Sequence, residues 1–169
     1  VKVPILPDVS RLVSAYLRFV PEVRALVGDR VYTAFPKQVS KSSSFVLVTR
    51  IGGPPVLTRP LVLDLAVMQL DAYGGPQSAA HELVATCRAA LAELEGEQPN
   101  AGGNVTGVVV GALRYVPDET YKPPRPRYVS DLEVYVKPAG ELFAGVSSKP
   151  AGELFAGANP LDEVLVEPI

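Results

Sequence analysis

Cysteine, histidine and methionine each occur once in 169 residues. A single Cys excludes an internal disulfide framework, and one Cys with one His excludes a Cys/His zinc site within one chain. Lys and Arg form no dense cluster, and the formal charge at pH 7 is only −2, which argues against a dedicated nucleic-acid binder. No apolar run approaches the roughly 20 residues of a membrane span, and no signal peptide opens the chain. The opening Val is compatible with a removed initiator Met, so the expectation is a soluble cytoplasmic protein with no membrane partner. What the chain does have is apolar content, 47% of all residues, too much for a disordered polymer. Its length suits one domain with a real core and room for an appendage.

The chain is organised around residues 67–76 and the run that follows them. Met68, Leu70 and Ala72 alternate with Gln69, Asp71 and Tyr73, the period-2 pattern of a strand with one buried and one wet face. Gly74 and Gly75 should supply a sharp reversal through backbone angles open to glycine. Pro76 suits the first turn of a helix. Ala79, Ala80, Leu83, Val84, Cys87, Ala90, Leu91 and Leu94 then recur at helical spacing, so one stripe faces a core. Cys87 on that stripe reads as a small buried hydrophobe.

Ahead of this unit, Asp8 is a good N-cap, and Val9, Leu12, Val13, Tyr16, Leu17 and Val20 follow at helical spacing. Pro21 interrupts that helix, a further turn or two follows, and Gly28 stops it. Residues 29–36 read as a short strand and 37–44 as a polar, mobile loop with four serines. Residues 45–51 are β-branched and aromatic, hence a strand, broken by Gly52-Gly53-Pro54-Pro55. Residues 61–73 predict one long strand, about 40 Å if unbroken. Its first half has Leu61, Leu63, Leu65 and Val67 on one face; its second half has Ala66, Met68, Leu70 and Ala72 on the other. A bulge would explain the switch, or the first half packs against something else, such as another subunit.

After the second helix, 96–103 reads as loop, 105–116 as strand, 117–126 as a loop with four prolines, and 127–136 as the closing strand. The fold class is therefore α+β: a small mixed or antiparallel sheet with two helices packed on one face. Its wet face carries Gln69, Asp71, Tyr73, Asp131, Glu133 and Tyr135. Residues 137–169 form a separate, extended arm beyond the 1–136 domain. Lys-Pro-Ala-Gly-Glu-Leu-Phe-Ala-Gly occurs twice in it, at 137–145 and 149–157. The arm has two Lys against five Asp or Glu, a charge of −3, while the preceding residues carry 14 basic and 13 acidic groups.

A catalytic constellation is not evident. Asp64 and Asp71 are an odd number of residues apart on one strand and so lie on opposite faces. Asp131 and Glu133 share a face but read as solvated surface. His81 has no Ser or Cys nucleophile nearby in sequence. Neither glycine pair has the pattern of a phosphate-cradling loop. Arg125 and Arg127 could meet a phosphate or a partner carboxylate, or simply solubilise a loop. No enzyme activity, cofactor or metal is expected.

Together these pieces resemble a known family. The helix carrying Asp8, Val9, Leu12, Val13, Tyr16 and Leu17, followed by Val27-Gly28-Asp29-Arg30-Val31-Tyr32-Thr33, is similar to the start of the tail terminator (tail completion) proteins of long-tailed bacteriophages. So are Leu70-Asp71-Ala72-Tyr73-Gly74-Gly75, and Pro123-Pro124-Arg125-Pro126-Arg127-Tyr128 leading into Asp131-Leu132-Glu133-Val134-Tyr135-Val136. The resemblance covers residues 5–136 and implies a small α/β sandwich that assembles as a hexameric ring. Such a ring caps the tail tube, ends its growth and meets the head connector. The implied partners are further copies of the chain, a tail tube protein, a head–tail connector protein and genomic DNA in transit. The implied locations are the virion tail or neck, and the host cytoplasm during assembly. On this reading Leu61, Leu63, Leu65 and Val67 supply a subunit interface, and a closed ring needs different patches on each subunit's two sides. Gln69, Asp71, Asp131 and Glu133 are candidates to line the channel, where acidic groups keep DNA from sticking. Arg125, Arg127 and the arm's Leu142, Phe143, Leu154 and Phe155 are candidates for partner docking. Two other readings stay open, another neck or head–tail adaptor ring and a small ligand-binding or enzymatic α+β domain.

Overall fold

Asp8 caps the first helix by accepting the Arg11 N–H at 3.2 Å, and α1 (Val9–Phe19) buries Val9, Leu12, Val13 and Leu17. Pro21 begins a second helix, α2 (Pro21–Val27), rather than merely ending the first, because a proline at the first helical position loses no bond. The computed structural model describes residues 5–56, 62–98 and 101–138. Leu61, Leu142, Phe143, Leu154, Phe155 and almost all of the repeated arm lie outside them.

The strands are β1 (Val31–Tyr32), β2 (Phe45–Gly52), β3 (Pro55–Val56), β4 (Leu63–Tyr73), β5 (Gly96–Gln98), β6 (Gly103–Tyr115) and β7 (Arg127–Pro138). Helix α3 (Gln77–Ala92) connects β4 to β5. One mixed sheet runs β1-β2-β4-β7-β6-β5, with β3 also paired to β4. Among the described residues only β1 and β2 pair in parallel; the other pairs are antiparallel. The α+β class and the helix-covered face match the sequence expectation, with three helices among the described residues instead of two. Short β3 and β5 fall where the sequence reads as loop. Strand β7 continues through Lys137 and Pro138, which pair with Asn104 and Gly103, two residues past the expected end of the domain.

The core lies between the sheet and the helices. Val46 and Val48 on β2, Ala66, Met68, Leu70 and Ala72 on β4, and Leu132, Val134 and Val136 on β7 share one cluster with the buried stripes of α1 and α3. Cys87 is buried in that cluster, and burial pushes its thiol up to about 12, so it is an inert packing residue.

The face switch expected in β4 involves no bulge there. β4 pairs with β7 in unbroken register from Asp64↔Val136 to Tyr73↔Arg127, and the irregularities fall in β2 and β6. Even positions face the helices along the whole strand, and odd positions face away. The sequence pattern switches because Asp64 occupies a buried even position and the outward odd positions change from Leu63, Leu65 and Val67 to Gln69 and Asp71.

Two glycines have distinct reasons. Gly53 takes φ +97°, and a Cβ there would sit 1.8 Å from the Leu65 carbonyl oxygen. Gly74, expected to need unusual angles, does not have a positive φ. A Cβ on it would instead lie 2.5 Å from the Ala80 nitrogen, so close approach of α3 demands the glycine. Pro76 occupies the N-cap position, with α3 starting at Gln77.

Candidate assembly face and its polar network

The sheet face away from the helices is the candidate functional surface. Pairing across β2, β4 and β7 puts Leu47 and Thr49 beside Asp71 and Gln69, and those beside Val129 and Asp131. Val67 stands opposite Glu133, and Leu65 opposite Tyr135. Leu63, Leu65 and Val67 are half-buried on this face, and among the described residues no helix covers it. They form an apolar band beside Gln69, Asp131 and Glu133.

One end of the face is closed. Phe45 and Tyr73 stack with ring centroids 4.4 Å apart, and Phe35 meets both edge-on at 5.8 and 6.0 Å. Arg125 comes over from the proline loop with its guanidinium carbon 5.0 Å from the Phe45 ring centroid, 5.5 Å from Tyr121 and 5.7 Å from Tyr73. Its Nη2 donates to the Ser43 carbonyl, which ties the proline loop to the serine-rich loop. Arg125 is 4% exposed, so it is packed inside the fold rather than presented as loop charge. Its Nε and Nη1 have no hydrogen-bond partner; three aromatic faces supply the compensation instead.

This closure corrects the expected wet face. Asp71 and Tyr73 are each 2% exposed, because the two loops fold over the end of the sheet that holds them. Gln69 donates to Asp71 Oδ2 at 2.9 Å. Asp71 Oδ1 has no hydrogen bond and stands 3.8 Å from Arg127 Nε. Burial pushes the Asp71 carboxyl above its ordinary value; the Gln69 bond and the Arg127 charge oppose that, and Asp131 adds to it. Arg127 also donates to the Val116 carbonyl at 2.9 Å and to the Tyr73 hydroxyl at 3.3 Å. Arg114 holds both oxygens of Asp131, at 2.8 and 3.0 Å. Glu133 is exposed and accepts the Tyr135 hydroxyl at 3.0 Å.

Of the expected channel residues, Gln69, Asp131 and Glu133 reach the open face and Asp71 lies beneath its closed end. Asp64 and Asp71 lie on opposite faces, as their spacing requires. His81 is exposed and meets the Tyr128 ring edge-on at 5.4 Å. Among the described residues, no group of three or more His, Cys, Asp and Glu is placed to hold a metal ion. Hollows of about 120 Å3 by the proline loop and about 300 Å3 by Arg18 and Arg24 include none of His81, Cys87, Asp64 and Asp71.

Sequence reasoning missed two arginine contacts on the helix side. Arg50 grips Asp64 at 2.6 Å, and Arg88 of α3 donates to Ser130 Oγ at 2.7 Å and the Gly111 carbonyl at 2.9 Å. Asp64 was detectable: it falls in line with Ala66, Met68 and Leu70 at period 2. A buried carboxylate at such a position implies a cation opposite.

No protein-family profile and no curated protein matches the chain. Among solved structures, the chain is similar to one from the virion of a native gene transfer agent particle, with a TM-score of 0.59 and 17% identity. The match covers 76% of this chain and 93% of that one. At such identity the likeness establishes a shared fold.

Proposed function

We propose that the chain is a structural protein of a phage-like virion, a ring-forming tail terminator that caps the tail tube and joins it to the head connector. The observation that carries this reading is the fold shared with a component of a gene transfer agent virion, over nearly the whole of that component. The motif resemblance to tail terminators, in order and spacing, supports the finer assignment. The open sheet face supports it too. Leu63, Leu65 and Val67 offer an apolar band to a neighbouring subunit, and Leu61 would extend it. Glu133, with Gln69 and the Asp131–Arg114 pair beside it, offers a polar, weakly acidic strip to a channel, where a net negative charge repels DNA rather than holding it. Arg127 and the arm's Leu142, Phe143, Leu154 and Phe155 are the candidate contacts to tube and connector proteins. Arg125 would act there through the loop that it pins.

Negative-stain images of the purified protein test the reading, with rings of uniform size expected. Leu65→Asp should abolish the rings and leave a folded domain, because a charge left unpaired in an interface is strongly unfavourable. A protein that is monomeric at all concentrations overturns the ring. The same neighbour would also suit an adaptor elsewhere in the neck. Capping of purified tail tubes separates the two readings, since an adaptor leaves tube growth unchecked.

A further inference from the structure

Strand β6 is 13 residues long, yet β5 covers only Gly103–Val105. The inner edge of β6 pairs with β7 as far as Tyr115↔Tyr128. Among the described residues no strand pairs with the outer edge over 106–115. Val109, Leu113 and Tyr115 stand 53%, 37% and 45% exposed there. This edge reads Thr-Gly-Val-Val-Val-Gly-Ala-Leu-Arg-Tyr, with no proline, no acid and one arginine. Proteins usually blunt such an edge with charge or proline, or cover it. The register shifts at Val105/Gly107 and Val110/Leu113 bend it but leave 107–110 and 113–115 as regular stretches.

We propose that this edge is completed by the chain's own residues 161–167, Leu-Asp-Glu-Val-Leu-Val-Glu, which add as a further strand. Three observations select this occupant. Its centre, Val164-Leu165-Val166, has the composition of a strand. Addition places Val164 and Val166 on the helix side with Val108 and Val110, and Leu165 on the other side with Val109. Finally, the chain leaves the sheet at Pro138, paired with Gly103 at the start of β6. The intervening residues 139–160 span up to about 75 Å, against about 33 Å for a ten-residue edge. A tether of that length holds the segment at an effective concentration on the order of millimolar. Backbone hydrogen bonds then give affinity, and the alternating side chains give register. This inference stands whether or not the chain belongs to a virion.

The test uses the full-length chain. Val109→Cys combined with Leu165→Cys, under mild oxidation, should give an intrachain disulfide that peptide mapping locates. Neither single variant should do so, and buried Cys87 does not compete. In the unsubstituted protein, the outward amides of 106–115 should exchange slowly with deuterium. Val164→Pro with Val166→Pro should speed that exchange at least about tenfold while β4 and β7 stay protected. Failure to cross-link, cross-links only between chains, or exchange unchanged by the prolines would each overturn the proposal.

Discussion

The Arg50 guanidinium closes on both carboxylate oxygens of Asp64, with Nη1 2.6 Å from Oδ2 and Nη2 2.7 Å from Oδ1. The same side chain donates to the carbonyls of Gly52 at 3.2 Å and Gly53 at 2.9 Å. It therefore fastens the irregular end of β2 to the start of β4. The Asp64 side chain is 2% exposed and that of Arg50 33%, so losing Arg50 strands a buried charge. Breaking a fully buried pair costs about 3–5 kcal/mol. Solvent reaches Arg50 and reduces this, so Arg50→Ala should destabilise by about 2–3 kcal/mol. Urea unfolding measures it. A loss below about 1 kcal/mol would show that water replaces the guanidinium.

Gly52 and Gly53 should respond oppositely to the same change. A Cβ on Gly52 meets nothing within 4 Å, whereas one on Gly53 meets backbone at 1.8 Å with φ at +97°. Gly52→Ala should shift stability by no more than about 0.5 kcal/mol. Gly53→Ala should cost about 3 kcal/mol or more, since overpacking and strain add. Thermal melts of the two variants give the comparison, and equal melting temperatures would refute it.

The sheet and the helices were legible because their signals are local. Asp8 capping, the helical stripe through Leu83 and Cys87, and the alternation of Met68, Leu70 and Ala72 each lie within a dozen residues. Neighbour order alone could not indicate the burial of Asp71 and Tyr73. Tyr73 is covered by Phe35 and Arg125, and Asp71 is approached by Arg127, all distant in sequence. Phe35 lies at the end of a segment that reads as a short strand, and Arg125 in a loop that reads as polar. The need for glycine after Tyr73 likewise comes from packing, against the start of α3 for Gly74 and against the distant Ser42 for Gly75. A Cβ on Gly74 would strike Ala80 and Pro76, and one on Gly75 would strike Ser42, so close contact and not a backbone angle sets the requirement. Short β3 and β5 carry too few residues for any periodicity to register.

Asp71 predicts a pH dependence with a definite sign. Its folded-state value is raised, chiefly by burial, so the folded chain binds this proton more tightly than the unfolded chain. The stability that this confers is fully present below the unfolded value and is lost as pH rises through the folded one. At pH 7 the charged carboxylate is thus a net burden. Asp71→Asn, which keeps a partner for Gln69, should be more stable than the parent at pH 7. The gain should shrink as the pH falls through the carboxylate range. Unfolding curves between pH 3 and pH 7 test this. If Asp71→Asn cost about 1 kcal/mol or more at pH 7, the Arg127 attraction would outweigh the burial.

Arg125 separates the value of a shape from the value of a charge. Its guanidinium has aromatic faces at 5.0, 5.5 and 5.7 Å, one bond to Ser43, and two nitrogens without partners. Desolvated cation–π contact is worth about 2 kcal/mol, while unsatisfied buried donors cost about 1–3 kcal/mol. The two nearly offset, leaving the packed methylene stem as the main net contribution. Arg125→Met keeps most of that volume and should lie within about 1 kcal/mol of the parent. Arg125→Ala opens a cavity among Phe45, Tyr73 and Tyr121 and should cost about 3 kcal/mol. It should also expose Asp71 and Tyr73 by releasing the proline loop, seen as faster amide exchange at 117–126 and 40–44. Equal losses for Met and Ala would place the stabilisation in the charge, and the aromatic cage would then be an electrostatic site rather than a packing one.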